Sequence, residues 1–384
     1  MNHAASHVGL PNDQGSGGSW MAENDDELLQ LKAGLEGLLD PVKLSQHVAV
    51  AAISQQPSQP STTLMHVRFA EDKADVEKLA AYLWSAAQNY SLSRRRREEL
   101  RAQIEAAPAG DLSVLALVTN AVRDAFLEFN AAYPHRSSEV GELLAYCVAL
   151  EQLGATQLLA KMALKTNNNM PVHGLDGVHG KVENGWLTLY FLESKLSSSA
   201  NAGAKEFAES VAGFSNDTKQ YQREYQLVKE LGNLDALSPS DKQIALEYFD
   251  IFGSSDKQRR ERYVGVILYS DPKAFKALPP VSDEQEPGFH EKVFAEAYAK
   301  QLSHHQEAAL RHINNESGKA EKCRVYFVAV PDADDLRERL YRAMGYVPPA
   351  VNTAKKSVAP VAKNIPATKK AASGSKTAAK KNSK

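Results

Sequence analysis

Two cysteines among 384 residues exclude a disulfide framework. Cys147 and Cys323 each lie in an apolar run and read as reduced core residues, and no cysteine cluster suits structural zinc. No stretch approaches the roughly 18 uninterrupted apolar residues of a membrane span. The N-terminus lacks a basic segment followed by an apolar one, which argues against a secretion signal and leaves the cytoplasm as the expected compartment. A nucleotide-driven motor is missing as well. Gly374-Ser375-Lys376-Thr377 copies the end of a phosphate-binding loop, but the upstream glycine is absent. His304, His305 and His312 do not form H-E-x-x-H and read as ordinary helix residues. Acid is missing from residues 351–384, which hold nine lysines; that segment is +9 against a net −2 for the chain, so residues 1–350 carry −11. An acidic body with a basic tail differs from a basic nucleic-acid-binding domain. The tail has too few apolar residues to pack and reads either as a loose phosphate holder or as a solvated segment.

The remaining composition is that of a soluble globular protein long enough to bury a sizeable core. Residues 1–60 form an N-terminal extension: polar and Gly/Ser-rich to residue 24, with Met21 an alternative start, then a short amphipathic helix marked by Leu28, Leu31, Leu35 and Leu38. Gln55–Thr62 is a polar, Pro-containing connection and a candidate boundary. Residues 61–347 make the main domain. It reads as a strand over 64–69, helices over 73–89 and 112–129 with a third opening at Ser93, and a helix from about Glu139 to Leu153 capped by Ser138. Gln157–Lys165 suits a strand, and helices follow around Ala204–Val211, Tyr221–Leu231 and Ser240–Phe252. YVGVILY (263–269) and CRVYFVAV (323–330) are buried-strand runs separated by a helix over 291–313, and a last helix spans 334–344. Residues 348–384 are the Pro/Ala/Lys tail. Arg94–Arg97 grip a phosphate backbone or acidic partner on one reading, and face solvent on the other.

The densest chemistry lies in Pro171–Leu196, PVHGLDGVHGKVENGWLTLYFLESKL. Asn184-Gly185 between strand-forming runs is a strong hairpin signal. The second strand is apolar on both faces until its end, where alternation puts Glu193 and Lys195 on one face with Leu187, Leu189 and Phe191. Two charges at the end of a buried strand need compensation. One form of it is a divalent metal held by Glu193 and by Asp176 from the other arm. Asp-x16-Glu-x-Lys on a hairpin is the layout of the PD-(D/E)xK nucleases, although the bare pattern recurs by chance in a chain this rich in Asp, Glu and Lys. Glu142, in the first turn of a helix apolar almost all round, either reaches the same metal or complements the helix dipole. His173 and His179 flank the motif, as turn residues first and DNA contacts second. Helix, three strands, helix and further strand is an α/β sandwich with the order of a PD-(D/E)xK restriction-endonuclease-like core, here with extra helices.

Gly141-Glu142-Leu143-Leu144, Gly174-Leu175-Asp176-Gly177-Val178-His179, Leu192-Glu193-Ser194-Lys195 and the upstream His66-Val67-Arg68-Phe69 together resemble the HamA nuclease subunit of the Hachiman antiphage system, over roughly residues 64–345. The resemblance implies a metal-dependent DNA nuclease of bacterial immunity working beside a superfamily 2 helicase. In such a site Asp176, Glu193 and the Ser194 carbonyl supply oxygen ligands to Mg²⁺, with Mn²⁺ as the alternative. Lys195 orients or helps deprotonate the attacking water, and Glu142 binds the metal directly or through water. The rival reading is a non-catalytic subunit that keeps a nuclease-like fold to hold DNA or a partner; the intact Asp176/Glu193/Lys195 set speaks against it. A carboxylate-pair glycosidase lacks aromatic platforms for sugar stacking.

Overall fold

The two runs that are apolar on both faces, around residues 263–269 and 323–330, need cover on both sides and therefore occupy the middle of a sheet. The computed structural model describes residues 17–109, 111–132, 138–160, 162, 175–230, 232–250, 253 and 257–346. Within them, α1 (Gly17–Gly37) leads to β1 (Val48–Ser54) and β2 (Ser61–Val67), then the small ribbon β3 (Phe69–Ala70) and β4 (Lys73–Ala74). Helices α2 (Val76–Ser91), α3 (Arg94–Ala106), α4 (Ser113–Ala132) and α5 (Glu139–Val148) precede β5 (Thr156–Ala160), β6 (Gly177–Glu183) and β7 (Trp186–Ser197). Then come α6 (Ala200–Ser215), α7 (Thr218–Glu230), α8 (Pro239–Phe249), β8 (Arg259–Ser270), α9 (Pro272–Lys276), α10 (Phe289–Ala299), α11 (Leu302–Asn315), β9 (Cys323–Val330) and α12 (Ala333–Ala343).

Seven strands pair in the order β1-β2-β9-β8-β7-β6-β5. The four central strands β2, β9, β8 and β7 are parallel, and each end of the sheet is completed by antiparallel pairing. The expected hairpin is present: Asn184 and Gly185 both take positive φ (51° and 72°), as a tight two-residue turn requires, and register runs from Glu183↔Trp186 to Gly177↔Leu192. One face of the sheet is covered by α2, α4, α5 and α12 through Leu79, Leu83, Phe126, Leu143, Leu336 and Leu340. The other is covered by α1, α6, α7, α8, α10 and α11 through Leu31, Leu35, Phe207, Val228, Phe294 and Ile313. The α/β expectation holds in this form, a mixed sheet flanked by helices.

Several expectations are corrected. Gln55–Thr62 is no boundary: most of it is the connection of the β1–β2 hairpin, and β1 lies in the same sheet as everything after it. The Ala-rich β1, VAVAAIS, has weak strand propensity, which hides it. Leu28, Leu31 and Leu35 of α1 and the following Leu38 are buried in one core layer, and Leu44 and Val48 in the other, so residues before 61 contribute to both. β8 begins four residues before the apolar run, because Arg259–Arg262 pair with Leu187–Tyr190 despite their charge. The helix expected over 139–153 is α-helical only to Val148 and closes in a π-turn at Ala149–Leu153. Ser138 precedes it without a side-chain cap. The helix expected over 291–313 is two helices, α10 and α11.

Half of the arginine run, Arg94 and Arg97, is spent inside the molecule. Ser93 caps α3, its hydroxyl accepting from the Arg96 amide. Arg97 lies 2.7 Å and Arg94 3.4 Å from Asp40, whose other oxygen accepts from the Tyr146 hydroxyl at 2.9 Å. Arg94 also donates to the Leu38 carbonyl. Burial draws the Arg94 guanidinium below its ordinary value, with Asp40 opposing. Arg95 pairs with Asp235, and Arg96 with Glu99 on the same helix. Asp40 is buried, so its removal leaves two guanidiniums without their carboxylate. Asp40→Ala is expected to cost about 3–5 kcal/mol of stability, read by urea unfolding; a loss below about 1 kcal/mol, the scale of an exposed pair, contradicts the buried-network assignment.

Candidate active site

β7 lies between β6 and β8, paired on both edges as far as Leu192, and Glu193, Ser194 and Lys195 stand beyond it near the carboxyl end, where β8 alone continues the pairing. Asp176 sits immediately before β6, where its amide donates to the Leu192 carbonyl at 2.8 Å. That bond brings Asp176 beside Ser194, and its Oδ2 accepts from both the Ser194 amide (2.7 Å) and the Ser194 hydroxyl (2.6 Å). Glu193 Oε1 accepts from the Lys195 ammonium at 2.7 Å, the one-face placement that strand alternation predicts. Asp176 and Glu193 are each 7% exposed, and Lys195 is half-buried.

These residues line an open cleft of about 500 Å³. It lies at the carboxyl ends of parallel strands, where open α/β sheets commonly place their sites. Its other walls come from Ser138, Glu206, Ser270, Asp334 and Arg337. Three helices therefore begin at its rim: α5 after Ser138, α6 after Ser198 and Ser199, and α12 at Ala333, whose amide donates to the Ser270 hydroxyl at 2.9 Å. Helix N-termini carry partial positive charge and favour anions. Arg337, paired with Asp334 at 3.0 Å, is the second cation on the cleft wall beside Lys195. The helix starts near 139 and 334 were each expected from the sequence, but their convergence with Arg337 on one cleft was not legible, because they come from segments with no shared motif or spacing.

Glu142 stands behind this wall, not on it. It is 2% exposed and accepts from the Tyr90 hydroxyl at 2.9 Å and the Ser138 hydroxyl at 3.1 Å. Burial first, then the negative charges of Glu142 and Asp176, push the Tyr90 phenol well above its ordinary value. Gly141, its neighbour, lets α5 approach β7 closely; a Cβ there would meet Ser194 Oγ at 3.2 Å. Glu139 is equally buried and accepts from the Tyr341 hydroxyl at 3.0 Å. Among the described residues no three His, Cys, Asp or Glu side chains stand together as a metal-holding group. What lines the cleft together is two carboxylates, Asp176 and Glu193, with Ser194 directly after Glu193 in sequence. Such hard oxygen donors fit Mg²⁺, which is usually held by one or two carboxylates and completed by water and phosphate, better than they fit a closed protein cage.

His179 is neither a turn residue nor a surface contact. It lies in β6, 1% exposed, with Nδ1 at 2.9 Å from the Ala155 carbonyl. Burial lowers its pKa to about 4. His173 and Gly174 lie outside the described residues.

The fold and cleft together define an α/β protein with a carboxylate-and-lysine site at the carboxyl edge of a mixed seven-stranded sheet. The chain belongs to the HamA family: the family model matches residues 44–344. The match starts upstream of the motifs that carry the sequence resemblance and takes in β1. Comparison with curated proteins gives no match.

The neutral, buried His179 has a thermodynamic consequence. Below pH 6.5 the unfolded chain takes up a proton at this histidine that the native state refuses until about pH 4. Stability is present above pH 6.5 and falls as pH drops through that window, by about 3 kcal/mol for this residue. His179→Asn is expected to flatten this part of the decline in urea unfolding between pH 7.5 and 4; an unchanged difference between the two ends of the window contradicts it.

Proposed function

We propose that this HamA-family protein is a Mg²⁺-dependent deoxyribonuclease with a PD-(D/E)xK-type site, a component of Hachiman antiphage defence that acts with a superfamily 2 helicase. The observation that carries the reading is the meeting of Asp176, Glu193 and Lys195 on one open cleft, with Lys195 at 2.7 Å from Glu193. Asp176, Glu193 and the Ser194 carbonyl would hold the ion, which when bound polarises the phosphate and lowers the pKa of a water. Ser194 keeps Asp176 in a single orientation through two short hydrogen bonds. Lys195 balances Glu193, and stabilises negative charge developing at phosphorus while orienting the attacking water. Glu142, fixed by Tyr90 and Ser138, acts from behind as a positioning residue. The helix N-termini and Arg337 offset the repulsion between these acids and a phosphodiester. A second reading, a non-catalytic subunit, is favoured by one feature: the Glu193–Lys195 and Asp176–Ser194 contacts already answer one another without an ion.

An acidic body repels phosphate, and the described residues contain no ATP-binding loop, so a translocating partner answers both deficits. Arg94 and Arg97 are committed to Asp40 and are poor docking candidates. The added helices α3 and α4 suit that role better, since they expose Ile104, Leu115 and Leu117, with Leu112 exposed just ahead of α4.

Incubation of the full chain with linear and circular DNA, in Mg²⁺ or EDTA, separates the two readings. Asp176→Ala, Glu193→Ala and Lys195→Ala are each expected to lower cleavage at least about a hundredfold, and the double Asp176/Glu193 variant to fall little further because the residues act as a unit. Near-normal cleavage by Lys195→Ala, or none by the wild type in Mg²⁺ or Mn²⁺ with and without its partner, would sink the assignment. Co-expressed with the helicase encoded beside it, the protein is expected to elute as one complex in size-exclusion chromatography. Two separate peaks, with equal nuclease activity in the presence and absence of the helicase, would leave the partnership without support.

A further inference from the structure

The amino ends of the central strands carry a different chemistry from the cleft. β8 opens with Arg259-Arg260-Glu261-Arg262, and register sets Arg260 beside Thr188 and Arg262 beside Tyr190 of β7, while Val264 pairs with Arg324 of β9. Alternation places Arg260, Arg262 and Arg324 on one face of the sheet with Tyr190. The Arg324 guanidinium lies 5.4 Å from the Tyr190 ring centre. Arg260 alone of the three has an acid, Glu183 at 2.9 Å, and it also donates to the Thr188 hydroxyl at 2.8 Å. That carboxylate is shared: it accepts from the Tyr190 hydroxyl at 2.7 Å and faces Lys181 at 3.7 Å. Arg262 donates to the Glu261 backbone carbonyl at 2.7 Å, and among the described residues neither it nor Arg324 makes an ion pair. A groove of about 390 Å³ adjoins the cluster, lined by Leu189, Tyr221 and Glu261 with Arg259, Arg260, Arg262 and Lys322; Arg324 and Tyr190 lie outside its lining. Lys322 stands 3.8 Å from that glutamate.

Half-burying like-charged guanidiniums side by side is unfavourable unless an anion answers them. Burial, then the charges of Arg260 and Arg324, draw Arg262 below its ordinary value. In an acidic body this excess of positive charge is local. Two guanidiniums without a carboxylate match the charge of a phosphate group better than that of a single carboxylate, and their planar forks suit its oxygens. The cluster lies some ten residues of strand, roughly 33 Å at the strand rise, from Ser270 at the cleft.

We propose that this arginine cluster on the Tyr190 face is a second anion site, which takes the phosphoryl oxygens of a nucleotide or of a nucleic-acid strand on Arg260, Arg262 and Arg324. It rests on charge and geometry and is independent of the nuclease reading. The test is isothermal titration of the full chain in EDTA, where no cleavage intrudes, with inorganic tripolyphosphate and separately with a short single-stranded deoxyoligonucleotide. Arg262→Ala/Arg324→Ala is expected to bind at least one probe at least about tenfold more weakly, with Arg96→Ala, a surface control, unchanged. Loss for both probes identifies a general phosphoryl site, and loss for the oligonucleotide alone identifies a strand site. In the strand case the slope of affinity against salt also becomes shallower. If the double variant melts early, Arg262→Ala alone gives the same comparison. Equal affinities of wild type and variant for both probes would overturn the proposal. So would failure of the wild type to bind either, including the case in which poly-glutamate binds instead and marks a protein partner.

Discussion

Everything around the cleft follows from placing charge at the end of a buried strand. β7 keeps its β8 neighbour to Ser197 but its β6 neighbour only to Leu192, and helices cover both faces, so Glu193 and Lys195 are largely withdrawn from bulk water. They have each other and the cleft. The clamp of Ser194 on Asp176 belongs to the same confinement, because the amide and hydroxyl of the facing strand both donate to that carboxylate's Oδ2. Removing two charges from water is expensive, and a protein that keeps them there holds a preformed, polar, rigid surface as the result.

The sheet is electrostatically polarised from end to end. At its carboxyl edge the fixed side-chain charge is largely acidic, and the helix starts soften it. At its amino edge arginines cluster around one overcommitted glutamate. Burial would raise the pKa of Glu183, yet Tyr190, Arg260, Arg324 and Lys181 hold it below the ordinary value. Parallel strands make such a division natural, since all their beginnings lie on one side and all their ends on the other.

The sequence disclosed those parts of the molecule whose causes are local. The Asn184-Gly185 turn, the alternation that sets Glu193 and Lys195 together, and the apolar runs of β8 and β9 are each written in a short window. What stayed hidden depends on partners remote in the chain. Arg94 and Arg97 look like a surface patch until Asp40 is brought beneath them. Ser270 and Arg337 acquire meaning only when the ends of β8 and β9 are aligned. Alanine and arginine concealed β1 and the start of β8, because strand pairing there overrides weak propensity and charge. His179 was misplaced for the opposite reason: glycines on either side suggested a turn, while the backbone runs straight through as strand.

The sheet's pairing order also bears on how the molecule is made. β2 finds its inner neighbour in β9, about 260 residues later in the chain. Until the ribosome has released residues 323–330, the β1–β2 hairpin has one unsatisfied edge, with Leu64 and Met65 still lacking their inner neighbour. The β6–β7 hairpin, by contrast, closes over only a handful of intervening residues and forms early. The carboxylates are thus assembled long before the walls that Ser270, Asp334 and Arg337 contribute. During synthesis the chain carries these charged groups before the cleft is complete, and its most vulnerable period for misassociation is set by the emergence of one late strand.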